Sequence, residues 1–427
     1  MGFPHRRRYR APPAVLNMSR EVFVTGLGMI SPAGVAAGPT WSALLAGCRA
    51  VRPITGVDLA GCRTTFAGQI GPFSPPPGIE GRACQLAVAA AAQALANAGL
   101  PRAQEFPPDR GRLRVVIGTS KPLYEAINSL GNYRANPAKT SIDLSEVFFR
   151  SLCDAPARRV ASNLGATGGT HACVSACATG AHAIIRGAQM IQDGDADLVI
   201  CGSTDTSLHR LWLAAYERMG GLAPEHPVRG PAFACRPFDR TREGFAIGEG
   251  AAILILESPE SVRRRGGQPI ARIAGYATGT DPAGLTQLSP DGAPLALVIQ
   301  LACSRARCEA KDIGAIVAHG TATPSNDLVE TRAIRQALGS RVADIPIMSA
   351  KGAIGHLLGG AGAVETALAV LACRDRCCPG TATLIEPDPA LGKLTLATEA
   401  FELTSPAVLK TSLGFGGHLA AIVVGPV

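Results

Sequence analysis

Apolar residues along this chain keep two rhythms, and the switches between them predict its elements. From Glu21, "EVFVTGLGMISPAG" is an apolar run broken by Gly, Ser and Pro, which predicts a buried strand ending in a turn. "TWSALLAGC" reads as helix, and "RACQLAVAAAAQALANAGL" as a longer one that stops at Gly99, with Pro101 just beyond. "LRVVIGTS" and "DADLVICGSTDTS" are β-branched strands separated by a central helix. In that helix Ala181, Ile184, Ile185 and Ala188 recur at i, i+3, i+4 and i+7, laying one apolar stripe on a core, and Asp193-Gly194 ends it. "GFAIGEGAAILILE" is a Gly-rich approach to a third strand.

Past about Arg265 the pattern starts again. "ARIAGYATGT" predicts a strand, "PLALVIQLACSRA" a helix, and "IGAIVAHGTATP" a strand breaking into a Gly turn before the helical "LVETRAIRQAL". "VETALAVLACRD" is helical, and "GFGGHLAAIVVG" closes as another Gly-rich approach to a strand. Alternation of strands and helices predicts α/β layers with a buried parallel sheet. The two similar passes predict a duplicated fold with a site between the halves: residues 18–265 form one half, residues 266–427 the other, and residues 1–17 a disordered basic arm.

Composition narrows the class. At 427 residues the chain can bury a large core, and with 17% charged residues and 49 glycines it suits helices packed tightly on sheets. No apolar run reaches the length of a membrane span, and "APPAVLN" is no signal-peptide core. Thirteen cysteines, odd in number and without a C-x-x-C pair, argue for a reducing, cytoplasmic setting and against disulfides or zinc. Of the formal charge of +8, residues 1–20 supply five arginines and no acid, leaving about +3 for the body. Without interleaved aromatics or a binding motif, that arm reads as a tail and not a nucleic-acid contact.

The candidate chemistry centres on His171–Gly194, "HACVSACATGAHAIIRGAQMIQDG". Cys177 stands where a short β-compatible run turns into the central helix. There the first helical N–H groups lack intrahelical acceptors and the dipole is positive. A thiol so placed is expected to be biased toward thiolate, with Ala176, Ala178 and Gly180 leaving the sulfur reachable; the alternative is a buried cysteine acting as a small apolar residue. Three further places stand out. His319 sits at a strand end in "AHGTATPSNDLVE", His356 follows Lys351 by five residues in the glycine-laden "SAKGAIGHLLGGAGAVE", and "LGFGG" (Leu413–Gly417) offers backbone N–H groups in a pliable loop. Singly, each has a plain alternative: a structural histidine, a solvated lysine, a tight turn.

Together the stretches "VFVTGLGMISPAG", "SACATG", "RPFDRTREGFAIGEGAA", "AHGTATPSNDLVE", "SAKGAIGHLLGGAGAVE" and "SLGFGG" resemble, in order from Glu21 to the C-terminus, the β-ketoacyl-acyl carrier protein synthases of the synthase I/II type. The resemblance implies a thiolase-like fold of five alternating αβαβα layers, usually in a homodimer. It also implies a catalytic Cys177, His319 and His356, with Lys351, Glu365, Asp327, Thr321 and Thr323 in support. Cys177, Phe415 and Gly416 would form the oxyanion site and gate, and Arg82 is the basic residue left where the family docks its carrier. The expected reaction is decarboxylative Claisen condensation. Acyl and malonyl groups arrive on the phosphopantetheine of an acyl carrier protein, and no metal or other cofactor is expected.

The chain also departs from the family pattern. His418 and Leu419 follow "GFGG" in place of Thr-Asn, Leu288 replaces a threonine beside the extender, and "GTSKPLYEAI" puts Lys121 and Pro122 at the acyl-pocket wall. A lysine there either points outward or lines a pocket for a polar or short acyl chain. Two other readings stand beside condensation. A chain-length-factor-like partner in a heterodimer would lack the nucleophilic cysteine, which is present here. A thiolase would need a second cysteine, which "GFGGHLAA" does not offer.

Overall fold

A computed structural model describes residues 20–100, 110–122, 129–131, 133, 134 and 143–427; the N-terminal arm expected over residues 1–17 lies outside the described residues. The strands that build the main sheet are β1 (Phe23–Ile30), β2 (Leu113–Gly118), β3 (Thr170–His171), β4 (Leu198–Thr206) and β5 (Glu249–Glu257) in the first half. In the second they are β6 (Ala271–Thr280), β7 (Ile313–Val317), β8 (Pro346–Met348), β9 (Thr395–Leu396), β10 (Ala407–Gly414) and β11 (His418–Gly425). The principal helices are α1 (Arg82–Asn97), α2 (Thr179–Gln192), α3 (Ala293–Ala306), α4 (Pro324–Leu338) and α5 (Ala361–Asp375).

The strands run β9-β8-β7-β10-β11-β6-β1-β5-β4-β2-β3. Outward from the β6–β1 junction, both halves repeat one order and one set of senses. The first strand pairs antiparallel with the last (β1 with β5, β6 with β11), the last antiparallel with the one before it, and that one parallel with the second strand. The halves meet through two antiparallel residue pairs, Phe23↔Arg272 and Val24↔Ala271. This is the duplication expected from the repeated pattern. The expected parallel sheet, however, is mixed: β10 and β11 are joined by the three-residue turn Phe415–Gly417, too short for the crossover a parallel pair needs.

Period-two alternation in the strands divides the core into layers. Ala251, Ile253 and Ile255 of β5 face outward onto α1, while Ala252, Leu254 and Leu256 face the central helices. In the second half Leu419, Ala421 and Val423 face α3, and Ala420, Ile422 and Val424 face inward. α2 and α5 therefore lie between the two half-sheets, with α1 on one outer face and α3 and α4 on the other, which makes five layers. α5 is buried on every side from Ala361 to Cys373, as suits a helix whose residues there are apolar or small except for Glu365 and Thr366. It crosses α2 closely enough that a Cβ on Gly180 would lie 2.2 Å from the backbone N of Ala363. Among the described residues no helix is long and apolar enough to cross a membrane.

Candidate active site

Cys177 lies in the 3-10 turn Ala176–Ala178 that leads into α2. Thr179 shapes this turn: its Oγ1 accepts from Ser175 N–H at 2.8 Å and donates to Ala176 O at 2.7 Å. Ala176, just before the cysteine, has φ 47°, a conformation that costs a non-glycine residue about 1–2 kcal/mol. Six non-glycine residues among those described have positive φ; Arg307 and Arg376 cap helices, while Ala176, Phe238, Ala322 and Leu358 surround this site. Such strain persists only where the surrounding structure holds it. The expected thiolate is not the resting form. Burial pushes the Cys177 thiol up to about 11, with Lys121 and Lys351 acting in the opposite direction. Loss of hydration outweighs the helix-terminus effect on which the expectation was built.

His319 and His356 face one another with ring centroids 5.4 Å apart and planes at 85°. Both are buried, and burial, then the Lys351 cation, holds both imidazoles well below the usual histidine value, so both are neutral near pH 7. The hydrogen bonds fix their tautomers. Lys351 Nζ lies 3.3 Å from His319 Nδ1, and an ammonium can only donate. The Leu358 N–H donates to His356 Nδ1 at 3.3 Å. With each Nδ1 engaged as acceptor, each Nε2 carries the hydrogen and is a donor. Lys351 also donates to His319 O and to Glu365 Oε1, so its ammonium is fully used. Glu365 Oε2 stands 2.8 Å from Lys410 Nζ, an ion pair completed inside the core. Lys351 and Glu365 thus lie together beside the histidines, one contacting His319 and the other holding the lysine.

Thr321 and Thr323 line the cavity and share a 3.0 Å hydroxyl contact. Asp327 lies beneath them and outside the cavity lining: it accepts from Ala322 N–H at 3.2 Å and Phe238 N–H at 2.8 Å, and burial raises its carboxyl to about 6. Several buried charged residues escaped the sequence reading, Glu330 and Lys410 among them. Glu330 accepts from His319 N–H at 2.7 Å, Gly320 N–H at 2.8 Å and Thr411 Oγ1 at 2.6 Å, pinning the strand end that carries His319. Its signal was its position three residues after Asp327 on one helix face. Lys410, the second, is a lone cation inside the apolar strand "AVLKTSLG".

The β10–β11 turn closes against the nucleophile. A Cβ on Gly414 would lie 3.2 Å from Cys177 N, so the absence of a side chain lets the two backbones meet and sets Phe415 beside the cysteine. Gly416, at φ 84°, donates its N–H to Leu285 O at 2.7 Å, tying the turn to the loop that carries Leu288. Cys177, His319, His356, Phe415, Leu288 and Tyr216 line one partly open cavity of about 70 Å³. His418 stands behind it, 6.0 Å from the ring of His182. Lys121 turns inward and not outward: its Nζ lies 2.6 Å from Ser120 Oγ and 3.9 Å from Asp205 Oδ2. Arg82, expected at a docking face, is engaged with Glu249 by two hydrogen bonds of 2.9 and 2.8 Å and keeps about a third of its side chain exposed.

Comparison with known proteins agrees with this geometry. Residues 19–261 match the family model for the β-ketoacyl synthase N-terminal domain, and residues 270–384 that for the C-terminal domain. The chain is similar to the tetracenomycin polyketide synthase ketoacyl synthase alpha subunit of Streptomyces glaucescens, 34% identical over 95% of this chain and 97% of that protein. It is also similar to 3-oxoacyl-(acyl-carrier-protein) synthase 2 of Synechocystis, 33% identical over 93% and 96%. Among solved structures it superposes with a TM-score of 0.87 on a chain of a type II PKS acyl-carrier protein in complex with its ketosynthase bound to the hexaketide, at 30% identity over 96% of this chain and 99% of that one. A β-ketoacyl synthase from Burkholderia phymatum gives 0.85, at 29% identity over 96% and 100%.

Proposed function

From the premise that the chain belongs to the β-ketoacyl synthase family, we propose that it joins an acyl group held on Cys177 to a malonyl-type extender by decarboxylative condensation. Both groups would be presented as phosphopantetheine thioesters on an acyl carrier protein. The observation that carries this reading is the pair of neutral imidazoles, each with Nδ1 engaged and Nε2–H free to donate, sharing one cavity with a cysteine at a helix start.

In the first half-reaction Cys177 Sγ attacks the acyl thioester carbonyl. The carbon–sulfur bond to the carrier breaks, and the proton lost by Cys177 ends on the departing carrier thiol, so the exchange is proton-neutral. Because the resting group is a thiol, the α2 N-terminus and the cations of Lys121 and Lys351 act where charge develops on sulfur. The N–H groups of Cys177 and Phe415 would receive the tetrahedral oxyanion. In the second, the extender's carboxylate leaves as CO2 and its bonding pair becomes an enolate, whose oxygen accepts from His319 and His356 Nε2–H. The enolate carbon attacks the acyl carbonyl and expels Cys177 as thiolate, which takes one proton from solvent. Loss of CO2 drives the sequence, so the reading calls for no metal or redox cofactor.

Cys177 beside both histidines favours the condensing subunit over a pocket-shaping partner; we take the working assembly to be a dimer, with itself or with such a partner. The test is sequential incubation with an acyl-carrier thioester and then malonyl-carrier. An acyl adduct on Cys177, followed by CO2 release and a 3-oxoacyl product, is expected. Loading of acyl groups at another cysteine, or no product, overturns the reading.

A further inference from the structure

The loop leaving β2 carries a cation into the acyl side of the site. Lys121 Nζ stands 5.7 Å from the ring centroids of both Trp212 and Tyr216, and Tyr216 lines the cavity that holds Cys177. Together with Pro122, Cys84, Pro156 and Thr206, Lys121 also lines a second, smaller recess. The ammonium therefore stands between the cavity of the nucleophile and the space behind it.

Its ion-pair partner does not use it up. Asp205 Oδ2 already accepts from Ser120 Oγ and from Gly359 N–H at 3.1 Å, and Oδ1 accepts from Ser207 Oγ. Lys121 approaches that carboxylate only to 3.9 Å, and among the described residues its hydrogen bonds go to Ser120 Oγ and to the Tyr216 hydroxyl. Three N–H donors against these two acceptors leave one N–H for a ligand oxygen. Independently, the indole N–H of Trp212, whose ring this cation faces, is buried with no hydrogen-bond partner among the described residues. A spare lysine N–H and an unpaired indole N–H on neighbouring side chains suit an occupant that brings oxygen atoms. The lysine and aspartate charges sum to zero, so the site suits a neutral carbonyl better than a carboxylate.

We propose that Lys121, with Trp212, is a specificity-determining residue that selects acyl groups bearing keto oxygens beyond the thioester, over saturated chains of equal length. The proposal rests on the condensing reading and identifies its acyl substrate class. A saturated tail would cover the ammonium and the indole N–H without satisfying either, whereas an oxoacyl chain accepts from both. Adducts are loaded on Cys177 under competition from the N-acetylcysteamine thioesters of hexanoate, 3-oxohexanoate and 5-oxohexanoate, and weighed by mass spectrometry. The small thiol removes any dependence on carrier docking. The wild-type protein is expected to load an oxoacyl group at least about tenfold faster than hexanoyl. Lys121→Met should bring that ratio to about one or below, and Lys121→Arg, which keeps the cation, should retain most of it. A wild-type preference for hexanoyl, or a ratio unmoved in Lys121→Met, overturns the proposal while Cys177 loading still stands. Failure of every thioester to load overturns the condensing reading and this proposal with it.

Discussion

At the scale of single residues the two histidines and the cysteine divide the work, and the division is measurable. Acyl capture needs Cys177 and the oxyanion donors, whereas enolate formation needs both Nε2–H groups. His319→Ala and His356→Ala should therefore lose CO2 release and condensation while Cys177 still accepts acyl groups. Cys177→Ala should form no acyl-enzyme but keep some extender decarboxylation. Each lost donor is worth on the order of a hundredfold to a thousandfold, and radiolabelled acyl capture run beside CO2 release separates the cases; a histidine variant releasing CO2 at the wild-type rate refutes its role. A second outcome follows from burial of the thiol. Alkylation of Cys177 by iodoacetamide should quicken about tenfold per pH unit above pH 7 and level off near 11, so a plateau by pH 8 would show that burial does not control it. Cys177, His319 and His356 were legible because each sits at the edge of an apolar run beside small or turn-forming residues. Glu330 and Lys410 were not, because their partners, His319 and Glu365, come from other elements and chain spacing carries no trace of such pairs. The thiolate expectation failed for the same reason: a helix start is local and visible in sequence, but desolvation is set by everything packed around it.

At the scale of elements, the crossing of α2 and α5 decides where Cys177 sits. A Cβ on Gly180 would come within 2.2 Å of Ala363 N and 2.4 Å of Ser203 Oγ, and one on Gly362 within 2.6 Å of Ala181 N. Gly180→Ala should therefore force the helices apart, costing about 1–3 kcal/mol or more by overpacking and displacing the turn that carries the nucleophile. Gly38→Ala supplies the contrast: nothing lies within 4 Å of that Cβ, and in the helix Ala37–Leu45 alanine should be neutral or up to about 1 kcal/mol stabilising. Urea midpoints together with Cys177 acylation rates check both. Equal midpoints for the two variants would mean that the crossing is slack. Helices and long strands were readable from period alone; α1, expected from "RACQLAVAAAAQALANAGL" with Gly99 as its stop, spans Arg82–Asn97. The short edge strands β8 and β9 were not, because three and two residues carry no period, and pairing with β7 and with each other is what makes them strands. In the glycine-laden stretch around His356 the short helix Lys351–Ile354 breaks at Gly355, φ 75°, and helical structure resumes through the turn Leu358–Gly360 before α5, which turns His356 toward His319.

At the scale of the whole molecule, burying two neutral imidazoles makes global stability depend on acidity. In the folded chain both pKa values lie well below 6.5, while in the unfolded chain they return to about 6.5. Below that pH the unfolded state binds two protons that the folded state refuses, so stability present above pH 6.5 is lost as pH falls toward the folded values. The slope approaches about 1.4 kcal/mol per pH unit for each histidine. Asp327 acts in the opposite sense: its folded value near 6 exceeds the ordinary aspartate value, so protonation favours the folded state as pH falls through about 6. The raw pH profile of unfolding therefore mixes the two, and a difference between proteins isolates the histidines. Replacing both by glutamine removes the titrations and leaves Asp327 in place. Urea unfolding free energies at pH 7 and pH 5.5 should fall more steeply in the wild type than in the His319→Gln, His356→Gln double variant, by about 2 kcal/mol across the interval. Parallel profiles would mean that the imidazoles take up protons inside the folded site, and a donor pair charged near neutral pH could not be the neutral pair on which the condensing chemistry depends.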